Sequence, residues 1–193
     1  MKAVLLSIRP KWCDLIASGE KTIEVRKTRP HLETPFKCYI YCTGVKSMNL
    51  RDYVVAHQAT GGAVDDWSGK VVGEFVCDNV EVLFNTNGNP ENYMTEILPS
   101  ILQKTALSYD EFGAYVGSRA GKNSIYGWHV SDLKVYDKPR ELSEFAVADK
   151  EAIRQCEYRE FYCKKKDDWC FGECKRKALT RPPQSYMYVE DLQ

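Results

Sequence analysis

Lys21, Glu24 and Arg26 fall within six positions of the stretch GEKTIEVRK, residues 19–27. An ammonium, a carboxylate and a guanidinium gathered in one hollow would suit a polar or anionic ligand, because charge-assisted hydrogen bonds are strong and directional. The same groups can move protons. A lysine drawn into an apolar pocket loses its proton more readily and becomes a general base, whereas a nearby carboxylate opposes that change. The plain alternative is a solvated strand whose Glu24 and Arg26 form ordinary surface ion pairs and whose Lys21 faces water.

Which reading applies depends on the elements that aim these side chains. Ala3 to Ile8 is apolar and partly β-branched, as expected of a strand buried on both faces. Pro10 can open a helix, Trp12, Leu15 and Ile16 share one side of it, and Gly19 ends it. Thr22 to Lys27 then alternates as a strand, with Thr22, Glu24 and Arg26 on one face and Lys21, Ile23 and Val25 on the other. Lys21 sits at the turn, where its direction is least constrained.

Further strands are expected at Lys37 to Thr43, in the β-rich Lys70 to Phe84, and in Ser124 to Tyr136, with a last one at 186–189. Gly73 marks a bulge or a close backbone approach. Helical spacing is weak at 47–60 and clearer at 91–103 and 108–117, where Ser108 and Glu111 have capping-box spacing. Pro139 to Phe145 is expected to be a connection. This order suits an α+β fold around a mostly antiparallel, barrel-like sheet.

The segment SIRPKWCDLIASGEKTIEVRK resembles the signature of the ASCH domain family, a relative of the PUA fold. Its G-x-K-x-x-x-x-R pattern is met by Gly19, Lys21 and Arg26. GKVVGEF, around Glu74, and YGWHVSDLKVYDKP also resemble pieces of such domains, so the likeness spans roughly residues 1–139. It implies an α+β, PUA-like small curved β-barrel with flanking helices. Residues 140–193 lie outside the likeness, and their charged, aromatic and cysteine-bearing texture reads as a C-terminal helical extension packed on the barrel.

The resemblance also implies a cleft suited to RNA or a nucleotide-like small molecule. Lys21, Glu24 and Arg26 are its expected ligand-binding residues, with Trp12 and His129. Some relatives hydrolyse an acetylated cytidine nucleoside and others act as ribonucleases, so a hydrolase is the alternative, with Lys21, Glu74 and Glu24 as catalytic candidates. Where the amidohydrolases of the family carry a threonine nucleophile, this chain has Glu24, and a carboxylate cannot be activated as a hydroxyl is. Thr22 faces the same side as Glu24 but is not at the family's position.

Tyr39, Tyr41, Tyr126 and Trp128 are aromatic residues able to stack on bases or to fill a core. Lys11, Lys21, Arg26, Lys27 and Arg29 cluster in sequence and suggest a positive rim. His31 and His57 have no comparable setting.

Lysine plus arginine and aspartate plus glutamate balance at 27 each, so attraction to nucleic acid must come from a local patch. Residues 150–181 hold ten basic against six acidic side chains. There is no apolar run long enough for a signal peptide core or a membrane span, which points to a cytoplasmic protein with reduced thiols. Cys13, Cys38, Cys42 and Cys77 are expected in the core.

Cys156, Cys163, Cys170 and Cys174 lack the close pairs of structural zinc sites. On one helix, residues seven apart stand about 10.5 Å from each other. They are therefore expected to form a buried stripe rather than a metal site, and the pattern calls for no cofactor. A third reading makes this region a protein-interaction surface.

Overall fold

The apolar run AVLLSI becomes the centre of the fold. A computed structural model describes residues 2–44, 66–84, 97–117, 124–148 and 176–192. In it β1 (Lys2–Ile8) lies between two neighbours, parallel to β3 (Phe36–Cys42) and antiparallel to β10 (Tyr186–Glu190). Both faces of β1 are covered. Val4, Leu6 and Ile8 enter one cluster with Cys13, Ile16, Phe75 and Trp128, while Ala3 and Leu5 enter another with Tyr39, Phe145 and Leu179.

The five-stranded sheet is completed by β4 (Val71–Cys77) and β7 (Ser131–Arg140), in the order β10-β1-β3-β4-β7. A second sheet holds β2 (Ile23–Arg26), β6 (Ile125–His129) and β5 (Val80–Phe84), in the order β2-β6-β5. Its outer face packs Ile23, Val25 and Ile125 against Leu102 of α2 (Pro99–Thr105) and Phe112 and Val116 of α3 (Tyr109–Gly117). The short strands β8 (Ala146–Ala148) and β9 (Arg176–Ala178) pair with each other. The content is α+β as expected, and among the described residues no sheet closes on itself.

Local chemistry accounts for the element ends. Pro10 occupies the first turn of α1 (Pro10–Ala17), and Gly19, at φ +81°, takes the left-handed conformation beyond its end. At α3 the capping box forms: the Ser108 N–H donates to Glu111 Oε2 at 3.0 Å, and the Glu111 N–H to Ser108 Oγ at 3.2 Å.

Some expected boundaries differ. Lys70 to Phe84 is two strands of different sheets, broken at Asp78 and Asn79. Ser124 to Tyr136 also divides, at Val130, and β7 runs on through Pro139 to Arg140. Pro139 is tolerated because β7 is an edge strand, where one N–H need not join a ladder. The expected helix at 47–60 with His57, residues 91–96, and Cys156, Cys163, Cys170 and Cys174 lie outside the described residues. No helix among the described residues is long and apolar enough to cross a membrane.

Gly73 combines both features expected of it. Ile40 pairs with Gly73 and Tyr41 with Val71, so Val72 is the extra residue of a bulge. A Cβ on Gly73 would stand 2.6 Å from the Lys134 carbonyl oxygen, a backbone atom of β7. Gly73→Ala is therefore expected to lower stability by about 1–3 kcal/mol in urea unfolding. Gly117→Ala, with no atom of the described residues beyond its own helix within 4 Å of the added carbon, should stay within about 0.5 kcal/mol; equal effects would refute the clash.

Cys13, Cys38, Cys42 and Cys77 are free and buried. Burial raises the Cys13 and Cys38 thiols well above their ordinary range, and burial beside Asp78 pushes Cys77 up to about 12. In the unfolded chain these thiols ionise near 9.0, so there the unfolded state binds fewer protons and stability falls as pH rises from that point through the folded values. Urea midpoints measured in reductant should drop between pH 9 and pH 11 (about two units above the ordinary thiol value); an unchanged midpoint would contradict the burial.

Candidate functional site

β2 has one face for the helices and one for the space between the sheets. Ile23 and Val25 take the first, so Glu24 and Arg26 are turned inward. They are only 7% exposed each, and Lys21 is 2% exposed. A solvated face of surface ion pairs is thereby excluded for these three residues.

Lys21 reaches this space from the turn after Gly19. Its N–H donates to the Leu15 carbonyl at 2.7 Å, which folds the backbone under α1. Its Nζ donates to the carbonyls of Ile23 at 2.8 Å and Thr105 at 2.7 Å and lies 3.4 Å from Glu24 Oε2. Those three acceptors match the three protons of an ammonium. Thr105 ends α2, so the ammonium also satisfies an open carbonyl at the negative pole of that helix. Trp12 lies above it, with the ring centroid 5.2 Å from Nζ.

Arg26 grips the opposite side of the carboxylate. Its Nη2 lies 3.0 Å from Glu24 Oε1 and donates to the Ser7 carbonyl at 3.0 Å. Its Nη1 donates to the Ser185 carbonyl at 3.3 Å and to Ser185 Oγ at 3.2 Å. Nε is buried and has no hydrogen-bond partner among the described residues. Ser7 is in turn joined to the C-terminal segment, its N–H to the Ser185 carbonyl at 2.9 Å and its Oγ to the Pro183 carbonyl at 2.6 Å.

Burial lowers the Lys21 pKa, with Glu24 as the principal opposing influence. The lysine is thus destabilised as a cation by loss of water and held as one by the carboxylate.

These side chains form the floor of a recess of about 700 Å³ that also includes Trp12, Ser185, and residues of α3. Among the described residues, Arg9, Lys21, Arg26 and Lys27 line it against Glu24 and Glu111, four cations to two carboxylates. At the mouth Lys11 is 2.8 Å from Glu111, and the Lys27 ammonium lies over Tyr115, 4.6 Å from the ring centroid.

The expected site is therefore assembled in part. Lys21, Glu24, Arg26 and Trp12 share the recess, but Glu74 and His129 do not line it. Glu74 lies on β4, where Tyr136 donates to it at 2.6 Å and Lys37 approaches at 3.8 Å. The cause is register: Glu74 pairs with Tyr39 and Lys134 within the five-stranded sheet. His129 pairs with Ile23, and its Nε2 lies 2.7 Å from Glu81 Oε1.

Among the aromatics, Tyr39, Tyr41 and Trp128 are buried in the core and Tyr126 is partly exposed. Thr22 is exposed. Ser7 and Ser185, which hold Arg26, were not among the expected site residues. Ser7 is the one polar residue within AVLLSI, a usable signal, whereas Ser185 has no local signature. No group of three or more potential metal ligands occurs among the described residues.

A family profile, ASCH domain, matches residues 6–76. The crystal structure of ASCH from Zymomonas mobilis is similar over 97% of this chain and 87% of that one, with TM-score 0.51 and 14% identity. Crystal structures of two single-residue mutants of that protein give TM-scores of 0.52 and 0.51, each at 14% identity. They cover 98% of this chain and 91% of theirs, and 97% and 88%, respectively. At this identity the likeness is one of fold. No curated protein matches the sequence.

Removing the charge of Glu24 leaves two buried cations facing each other without their shared counter-ion. Glu24→Gln is expected to destabilise the protein by about 3–5 kcal/mol in urea unfolding, with little relief from added salt because the pair is shielded from solvent. A loss below about 1 kcal/mol, the range of a surface ion pair, would overturn the buried arrangement.

Proposed function

The chain carries a domain of the ASCH family, and on that premise we propose that it binds RNA or a nucleotide-like small molecule in the Lys21–Glu24–Arg26 recess. The observation that carries this reading is the excess of cations around a recess whose floor is already fixed. Lys21, Glu24 and Arg26 are bound to one another and to the surrounding backbone, with Arg26 Nε alone of their buried polar atoms lacking a partner among the described residues, and together they carry a net positive charge. Arg9, Lys27 and Gln184, also in the recess lining, supply the contacts a phosphate or base edge would meet.

We take residues 1–139 as the ASCH/PUA-like unit, its sheets curved in a barrel-like manner about the recess, and 140–193 as an extension packed on it. The pairing of β10 with β1, and the presence of Ser185 in the recess wall, support the packing of the extension on that unit.

A hydrolase acting on RNA or an acylated nucleoside has less support. All three Lys21 protons have acceptors, which disfavours it as a base, and Glu74 lies elsewhere. The reading as a protein-interaction module rests on a cysteine-bearing segment outside the described residues.

The test is direct binding of uridine 5′-monophosphate by calorimetry and of labelled single-stranded RNA by fluorescence anisotropy. Binding of at least one is expected, weaker at about 200 mM than at about 50 mM salt. Arg9→Ala should reduce affinity about tenfold, the loss of one charge-assisted contact. If neither probe binds at either salt concentration, the proposal fails.

A further inference from the structure

Beside the deep recess lies a second, more open hollow of about 640 Å³. Lys27 and Thr28 line both, so the two share a wall. The second hollow adds Arg29 and His31 from the connection between β2 and β3, together with Tyr126 and Tyr186. Among the described residues Glu33 is the one carboxylate in its lining, so Lys27 and Arg29 leave it positive.

A surface connection of this length is ordinarily mobile, which would weaken any site built on it. Here its backbone is tied down at three points. The Trp128 Nε1–H donates to the Thr28 carbonyl at 3.3 Å, the Tyr186 hydroxyl to the Arg29 carbonyl at 3.3 Å, and the His31 N–H to Tyr188 Oη at 2.7 Å. The Tyr186 ring is itself fixed edge-to-face, 5.2 Å from Trp128 and 6.0 Å from Tyr188 between centroids. Arg29 and His31 are exposed, so their side chains extend toward solvent from a backbone that is already ordered. Such preorganisation lowers the entropic cost of binding.

We propose that this hollow is a subsite for the nucleotide next to the one in the deep recess, and hence that the ligand is single-stranded RNA rather than a mononucleotide. Lys27 and Arg29 meet its phosphate, and Tyr126 and Tyr186 offer partly exposed rings to its base. A base paired in a duplex has no face available for such contact, which favours the single strand. The inference rests on the recess reading above and adds to it the length and strandedness of the ligand.

The experiment compares a labelled single-stranded RNA hexamer with uridine 5′-monophosphate, on the wild-type chain and on Arg29→Glu. The hexamer is expected to bind roughly tenfold or more tighter than the monophosphate, as one stacked base alone allows. Its salt slope should be steeper by about 0.7 for each added phosphate contact. Arg29→Glu should abolish that advantage and leave the monophosphate within about twofold, below the effect of one lost hydrogen bond to a charged group.

Equal wild-type affinities, or an equal loss of both ligands in Arg29→Glu, would overturn the subsite. If the monophosphate binds and the hexamer has no advantage, the deep recess stands and the subsite falls; if neither binds, both fall.

Discussion

A single carboxylate closed in between two cations is the interaction on which the rest of this structure depends. Burying ions is costly, and their mutual attraction offsets the cost only when the remaining donors and acceptors also find partners. Glu24 occupies Lys21 and Arg26, and those two draw in the end of α2, the carbonyl of Ile23, the end of β1 and the segment before β10. Three parts of the chain outside β2 are thus bound to the three charges. The recess is the space left above them.

This arrangement divides the labour in the recess. Groups on the floor are buried and, Arg26 Nε apart, paired with one another or with backbone, which makes them sources of field rather than exchangeable contacts. Arg9 and Gln184, in the same lining, are exposed to solvent. The Lys21 ammonium illustrates the distinction: loss of solvent favours its neutral form, and Glu24 favours the charged one. Of the two influences, loss of solvent is the larger.

The legible part of the site was the part contained in one local segment. Lys21, Glu24 and Arg26 could be read together because a turn and a short alternating strand fix their relative directions, and the family pattern coincided with Lys21 and Arg26 but not with Glu24. Glu74 and His129 sit on strands whose faces are also periodic, but periodicity does not say which sheet a strand joins. The division of Lys70 to Phe84 at Asp78 and Asn79 decided that question and sent Glu74 into the five-stranded sheet, away from β2. Ser185 was illegible for a different reason. Its bond to Arg26 spans 159 positions, and nothing within RPPQSY announces such a partner. β1, β3 and the α3 capping box, in contrast, followed from apolar patterning and short-range chemistry.

The placement of β10 beside β1 has a kinetic consequence. A wall joined to Arg26 across so great a sequence separation cannot form until most of the intervening chain has been brought into place, since contacts of this kind incur loop-closure entropy before they return any stability. β1 can find β3 early, and α1 can dock on that pair, while the hollow is still a groove open on one side. Completion of the cavity therefore belongs to the late stages of folding, and its first loosening to the early stages of unfolding.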